Sequence, residues 1–125
     1  MSDSHRDLIA WQRAMDLATE IYRTVETFPK RETYVLTMQL CGCAGSVPSN
    51  TAEGKGRLSK KEYVQFLSKA RGSLLEVETR LELAQRVGYI TVARFRELFA
   101  QAAEVGKILN GLIRSIRRQI RDDDQ

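Results

Sequence analysis

Two groupings of cations are the residues whose types and spacing best suit a chemical task. Lys55, Arg57, Lys60 and Lys61 crowd one short stretch, at the start of what reads as a helix. Arg114, Arg117, Arg118 and Arg121 follow i, i+3, i+4, i+7 spacing, so a helix carries all four on one face. Lys107 falls near the same stripe. The chemistry such sets perform is phosphate binding, in which guanidinium and ammonium groups neutralise phosphodiesters and displace condensed counterions. The free amides and dipole of a helix start favour an anion beside the first grouping too. Over positions 91–121 the chain carries seven basic and two acidic residues, before Asp122, Asp123 and Asp124 subtract three charges. The plain alternative is solubility charge, with cations favoured at a helix C-terminus. No aromatic residue interleaves with either grouping, so stacking on single-stranded bases is not indicated.

Other reactive types do not assemble. Ser49, Asn50 and Glu53 follow Pro48 closely, and Glu76 and Glu78 lie on the next helix. Facing carboxylates in a bundle can hold metals, but di-iron bundles need Glu-x-x-His pairs. The single histidine, His5, sits in the N-terminal segment. Pro48, Ser49, Asn50, Glu53 and Gly54 instead read as a structural motif. In it Ser and Asn satisfy backbone groups freed by the proline, and Glu53 reaches a donor on a neighbour. A Ser-His-Asp or Cys-His set would require His5 as well. Gly54-Lys-Gly-Arg57 lacks the spacing and Lys-Ser/Thr ending of a phosphate-cradling loop. Cys41 and Cys43 stand two apart, point to different helix faces, and read as small core residues. The expectation is a protein without catalytic residues, metal or cofactor.

The elements that must position these residues are helical. Asp7 can cap a first helix over 8–27, with Leu8, Trp11, Met15, Ala18, Tyr22 and Val25 as its apolar stripe. Phe28-Pro29 breaks it. A second helix spans 32–53 and contains Pro48, where a kink is expected. Gly42 and Gly45 lie upstream, and each glycine costs a helix interior about 1 kcal/mol, usually offset by close packing. Gly54-Lys-Gly-Arg-Leu58 ends this helix. Ser59-Lys-Lys-Glu62 reads as a capping box for a third helix over 60–87. Its Tyr63, Leu67, Ala70, Leu74, Val77, Leu81 and Ala84 repeat in sevens. Gly88 stops it, and Thr91 caps a fourth helix over 92–120, with a solvated tail beyond. Four amphipathic segments on short links predict an all-α, antiparallel up-down-up-down four-helix bundle, one domain over 1–125.

Between Glu32 and Glu53 no side chain is charged, in a chain whose charged fraction is 29%. A surface helix normally shows water a charged face. This one is therefore expected to be covered on more than one side, by its own bundle or by another copy of the chain. Eight polar or proline positions across 33–52 argue against a transmembrane span. The N-terminus is too polar for a secretory leader, which points to the cytoplasm. The net charge of +4 permits a nucleic-acid or anionic partner without requiring one.

Several stretches together carry a resemblance. They are Asp7-Leu-Ile-Ala-Trp-Gln-Arg-Ala14, Leu36-Thr-Met-Gln-Leu40, Ser46-Val-Pro-Ser-Asn-Thr-Ala-Glu-Gly-Lys-Gly-Arg57 and Phe66-Leu-Ser-Lys-Ala-Arg-Gly-Ser-Leu-Leu-Glu-Val-Glu-Thr79. Glu104-Val-Gly-Lys-Ile-Leu-Asn-Gly-Leu-Ile-Arg114 joins them. The chain resembles the small bundle proteins encoded in intervening sequences of bacterial large-subunit ribosomal RNA genes. These are similar in fold to the accessory variability determinant of diversity-generating retroelements. The resemblance implies a ring-shaped homopentamer, no catalytic activity, and a role beside nucleic acid. The chain departs from the family at Cys41 and Gly42, where an arginine pair is usual, and at Thr51, where a branched aliphatic is usual. The expected function is RNA or DNA binding through the basic groupings, or recruitment of a nucleic-acid enzyme. The alternative is a protein-interaction scaffold.

Overall fold

A computed structural model describes residues 4–125; the first three residues of the polar N-terminal segment lie outside the described residues. Among the described residues the chain is all α, with four helices and no strand. They are α1 (Ile9–Thr24), α2 (Met38–Lys55), α3 (Lys60–Arg86) and α4 (Val92–Asp123). Helix α2 packs between α1 and α3, while α4 packs against both α1 and α3. No helix among the described residues is long and apolar enough to cross a membrane.

Local chemistry sets most helix ends. Ser59 Oγ accepts from the Glu62 amide at 3.0 Å, and Thr91 Oγ1 accepts from the Arg94 amide at 3.0 Å. Only the hydroxyl half of the expected capping box forms; Glu62 makes no return bond to Ser59. Past α3, Gly88 takes φ of +86°, donates to the Gln85 carbonyl, and lets Tyr89 donate to the Ala84 carbonyl. This pair of bonds is the Schellman stop that a left-handed glycine permits. Asp7 does not cap α1. It lies in a 3-10 turn, His5–Asp7, opened by Ser4 Oγ accepting from the Arg6 amide, and Leu8 precedes α1 with no side-chain cap. Helix α4 runs on through Asp123, so two of the expected tail residues, Asp122 and Asp123, are exposed but helical.

The second helix enters less regularly than its sequence suggests. A 3-10 turn, Lys30–Glu32, passes into a wide π turn, Thr33–Thr37, before regular α geometry begins at Met38. No side chain caps these turns, and alternating β-branched Thr33, Val35 and Thr37 weaken α preference there. Pro48 is accommodated inside a continuous α2.

The core consists of side chains at helical spacing on all four helices. Leu17, Ile21, Leu40, Val47, Leu67, Val77, Leu81, Leu98, Val105 and Leu109 are fully buried. Each such burial contributes about 1.5–3 kcal/mol. On α3 the expected heptad holds from Leu67 to Ala84, with Tyr63 half-buried and Val64 buried beside it. On α1 the expected stripe is displaced. Ala10, Ala14, Leu17, Ala18 and Ile21 face the core, whereas Met15 and Tyr22 are 40% and 53% exposed. Helix α1 is apolar over a wide arc, and its alanines together with Leu17 and Ile21 take the close-packed side.

Candidate functional site

The fold brings the two basic groupings to the same end of the bundle, on different faces. Lys55 is the last residue of α2 and Gly56 its C-cap, so Arg57 occupies the link that leads into α3. Lys60 is the first residue of α3, and its Nζ lies 2.7 Å from Asp123 Oδ2 in the last turn of α4. The arginine stripe runs into that turn, which contains Arg121. Arg114, Arg117, Arg118 and Arg121 are exposed, as are Lys61 and Lys107. Among the described residues Lys55, Lys61, Lys107 and these four arginines enter no ion pair. Lys107 stands apart, about 21 Å up the helix from Arg121. The result is a cationic end built from α2, α3 and α4, with a more distant fifth stripe member.

An aromatic ring does accompany the first grouping, contrary to the reading from sequence. The Arg57 guanidinium lies 4.3 Å from the Phe66 ring centre and the Lys69 ammonium 4.5 Å from it. These cation–π contacts hold two positive charges against α3. Phe66 is half-buried, so the ring anchors cations and is not an open stacking platform. The i, i+3 spacing of Phe66 and Lys69 was the available signal.

The proline motif is only partly internal. Pro48 and Thr51 are buried, and Thr51 Oγ1 donates to the Val47 carbonyl at 2.8 Å. Asn50 Nδ2 donates to the Ser46 carbonyl and to Ser46 Oγ, both at 2.9 Å. Ser46 Oγ in turn shares a 2.8 Å hydrogen bond with Ser73 Oγ on α3. Asn50 therefore serves the Ser46 carbonyl, not the Ala44 carbonyl that Pro48 leaves without its amide. Ser49 is exposed. Glu53 reaches no neighbouring helix; its one ion pair is with Arg57, at 3.9 Å. Gly54 lies within α2, and its role is close approach. A Cβ there would stand 3.0 Å from Phe66 Cβ and 3.1 Å from the Tyr63 carbonyl oxygen. Gly42 and Gly45 make no such approach within the chain.

The carboxylates stay dispersed. Glu76 pairs with Arg80, whose Nε reaches Gln39 near the start of α2, whereas Glu53 lies at its end. Burial pushes the Glu78 carboxyl above its ordinary value. Among the described residues no group of three His, Cys, Asp or Glu side chains could hold a metal ion. Cys43 is buried and donates to the Leu40 carbonyl, while Cys41 is half-buried; burial raises the pKa of both thiols.

A second surface feature lies between α1 and α2. Trp11, Met15, Ala18, Thr19, Tyr22, Gly45, Pro48, Ser49 and Ala52 line a groove of about 560 Å³ without a charged side chain. Farther along the same segment Tyr34, Val35 and Met38 are 81%, 55% and 57% exposed. The uncharged second helix is thus buried on one side and open on the other.

Comparison with known proteins gives a family match and several solved structures of similar fold. The 23S rRNA-intervening sequence protein family model matches residues 6–111, a span that includes Lys55 to Lys61 and Lys107 but stops before Arg114. A similar solved structure is that of a protein with unknown function from the S23 ribosomal protein family of Bacteroides thetaiotaomicron. It is 22% identical, with a TM-score of 0.76, and the match covers 84% of this chain and 98% of that one. At that identity the likeness speaks for the fold. No curated protein matches the sequence.

Proposed function

The chain belongs to the 23S rRNA-intervening sequence protein family, and from that premise we propose a non-enzymatic, cytoplasmic bundle that binds RNA or DNA through its cationic end. The observation that supports this reading is that both basic groupings lie at the same end of the bundle, where Lys60 touches Asp123. Unpaired cations aligned on one helix face suit a phosphate backbone, and their register supplies charge without base readout. The bundle is one domain of antiparallel up-down-up-down helices, and copies assemble through the open side of α2. The ring, and five as its subunit number, follow from the family resemblance. Assembly repeats the cationic end around a rim and multiplies its contacts.

Filter binding to an RNA duplex at two salt concentrations tests the reading. Four phosphate contacts predict roughly a 150-fold loss of affinity between about 50 and 200 mM salt. Reversing Arg114, Arg117 and Arg118 to Glu should abolish retention. No retention of the unaltered protein at low salt refutes nucleic-acid binding. Light scattering tests assembly: a particle several times 14.2 kDa is expected, and a lone protomer refutes it.

The uncharged groove between α1 and α2 favours a second reading, a protein-interaction scaffold. Under that reading the Arg-to-Glu triple variant keeps its protein partner.

A further inference from the structure

The contact between Lys60 and Asp123 joins two residues that each oppose their own helix. Lys60 occupies the first position of α3, where the positive end of the dipole disfavours a cation. Asp123 occupies the last position of α4, where the negative end disfavours an anion. Asp122 and Asp124 flank it, and all three aspartates are exposed. Helix stability therefore gives no reason for three carboxylates at this point. Helical spacing puts Asp122 one turn after Arg118 and Asp124 three residues after Arg121, beside the arginine stripe, while Asp123 turns to the opposite side of α4 and meets Lys60.

We infer that the C-terminal aspartates are an autoinhibitory anion, a carboxylate stand-in for phosphate that occupies the cationic end through Lys60 and is displaced when nucleic acid binds. The inference rests on the nucleic-acid reading above. Binding is then an exchange: Lys60 gives up the Asp123 carboxylate and takes a phosphodiester. The bundle binds more weakly than its cations alone would allow, and freed Asp122, Asp123 and Asp124 repel the strand that displaced them. Such a device makes weak phosphate surfaces, which cannot displace the tail, poor ligands. A polyphosphate backbone remains a good one.

The test uses the full chain and a fluorescein-labelled RNA duplex, with anisotropy read at about 100 mM salt. Asp122→Asn, Asp123→Asn and Asp124→Asn together should tighten binding about fivefold or more and steepen its salt dependence. A charge-matched control, Glu26→Gln, Glu82→Gln and Glu97→Gln, raises net charge equally. Glu82 lies about 33 Å along α3 from Lys60 and Glu97 about 36 Å along α4 from Arg121. Glu26 sits two residues from Phe28, which packs on Tyr89 beyond the far end of α3. Those distances exceed the screening length of about 10 Å, so the control should change affinity less than twofold. The gain from Asp123→Asn alone should also shrink in a Lys60→Gln background. Equal gains from tail and control variants overturn the inference, since net charge then suffices. An unchanged tail variant, with the unaltered protein still binding, overturns it and leaves the nucleic-acid reading standing. Binding by none of the proteins overturns both.

Discussion

Replacing Gly54 by alanine sets two effects of opposite sign against each other. Alanine inside a helix gains about 1 kcal/mol over glycine in backbone terms. The added Cβ, however, would stand 3.0 Å from Phe66 Cβ, 3.0 Å from Tyr63 Cδ1 and 3.1 Å from the Tyr63 carbonyl oxygen. Ordinary contact begins near 3.5 Å, so α2 and α3 must part by about half an ångström. Two of the three atoms cannot swing away, because one is backbone and one is a Cβ. Overpacking of this kind costs about 1–3 kcal/mol, and the upper half of that range applies when rigid atoms collide. The net expectation is a loss of about 1–2 kcal/mol, or roughly 3–10 °C in melting temperature. Chemical denaturation followed by far-UV circular dichroism, at one fixed protomer concentration, measures it. Gly72→Ala on α3 is the reference, since a Cβ there meets nothing within 4 Å and should gain about 0.5–1 kcal/mol. If Gly54→Ala proves as stable as Gly72→Ala, the close approach of α2 and α3 is not what glycine is for.

Ser59→Ala removes the acceptor for the Glu62 amide and should cost about 1 kcal/mol in the same denaturation assay. Glu20 accepts a 2.8 Å hydrogen bond from Arg94, which holds its carboxyl below the ordinary value. Its contribution is complete above that ordinary value and is lost as pH falls through the depressed one, so Glu20→Gln should flatten the acid limb of a stability–pH curve. Glu78 behaves oppositely, because burial raises its pKa. Below the ordinary carboxylate value it is neutral folded or unfolded and costs nothing. As pH rises through that value the unfolded chain ionises first and stability drops, levelling off above the raised value. Glu78→Gln should therefore be the more stable protein at neutral pH, with the difference vanishing in acid.

What could be read from the sequence were features with local causes. Ser59 and Thr91 announce helix starts because their hydroxyls serve amides a turn away, and Gly88 announces a stop because few residues accept positive φ. The repeat from Leu67 to Ala84 fixes one face of α3 because only one face is apolar. Helix α1 was harder, since Ala10, Ala14 and Leu17 compete with Trp11, Met15 and Tyr22, and periodicity cannot say which stripe looks inward. The π turn at Thr33–Thr37 left no local signal beyond its β-branched residues. In the cationic end, both groupings were visible as spacings. Their placement at one end of the bundle was not, because Lys60 and Asp123 are 63 positions apart and joined only by packing. Glu53 is expected to reach a donor on a neighbour, whereas its ion-pair partner, Arg57, lies one turn along its own chain.

Trp11 is the chain's single tryptophan, and it stands half-buried on the wall of the uncharged groove with His5 edge-on at 5.0 Å. Its emission is consequently a native spectroscopic gauge of whatever fills that furrow. Dilution that strips an occupant away admits water to the indole and moves the fluorescence maximum to longer wavelength. Association moves it back, with no dye attached and no residue changed.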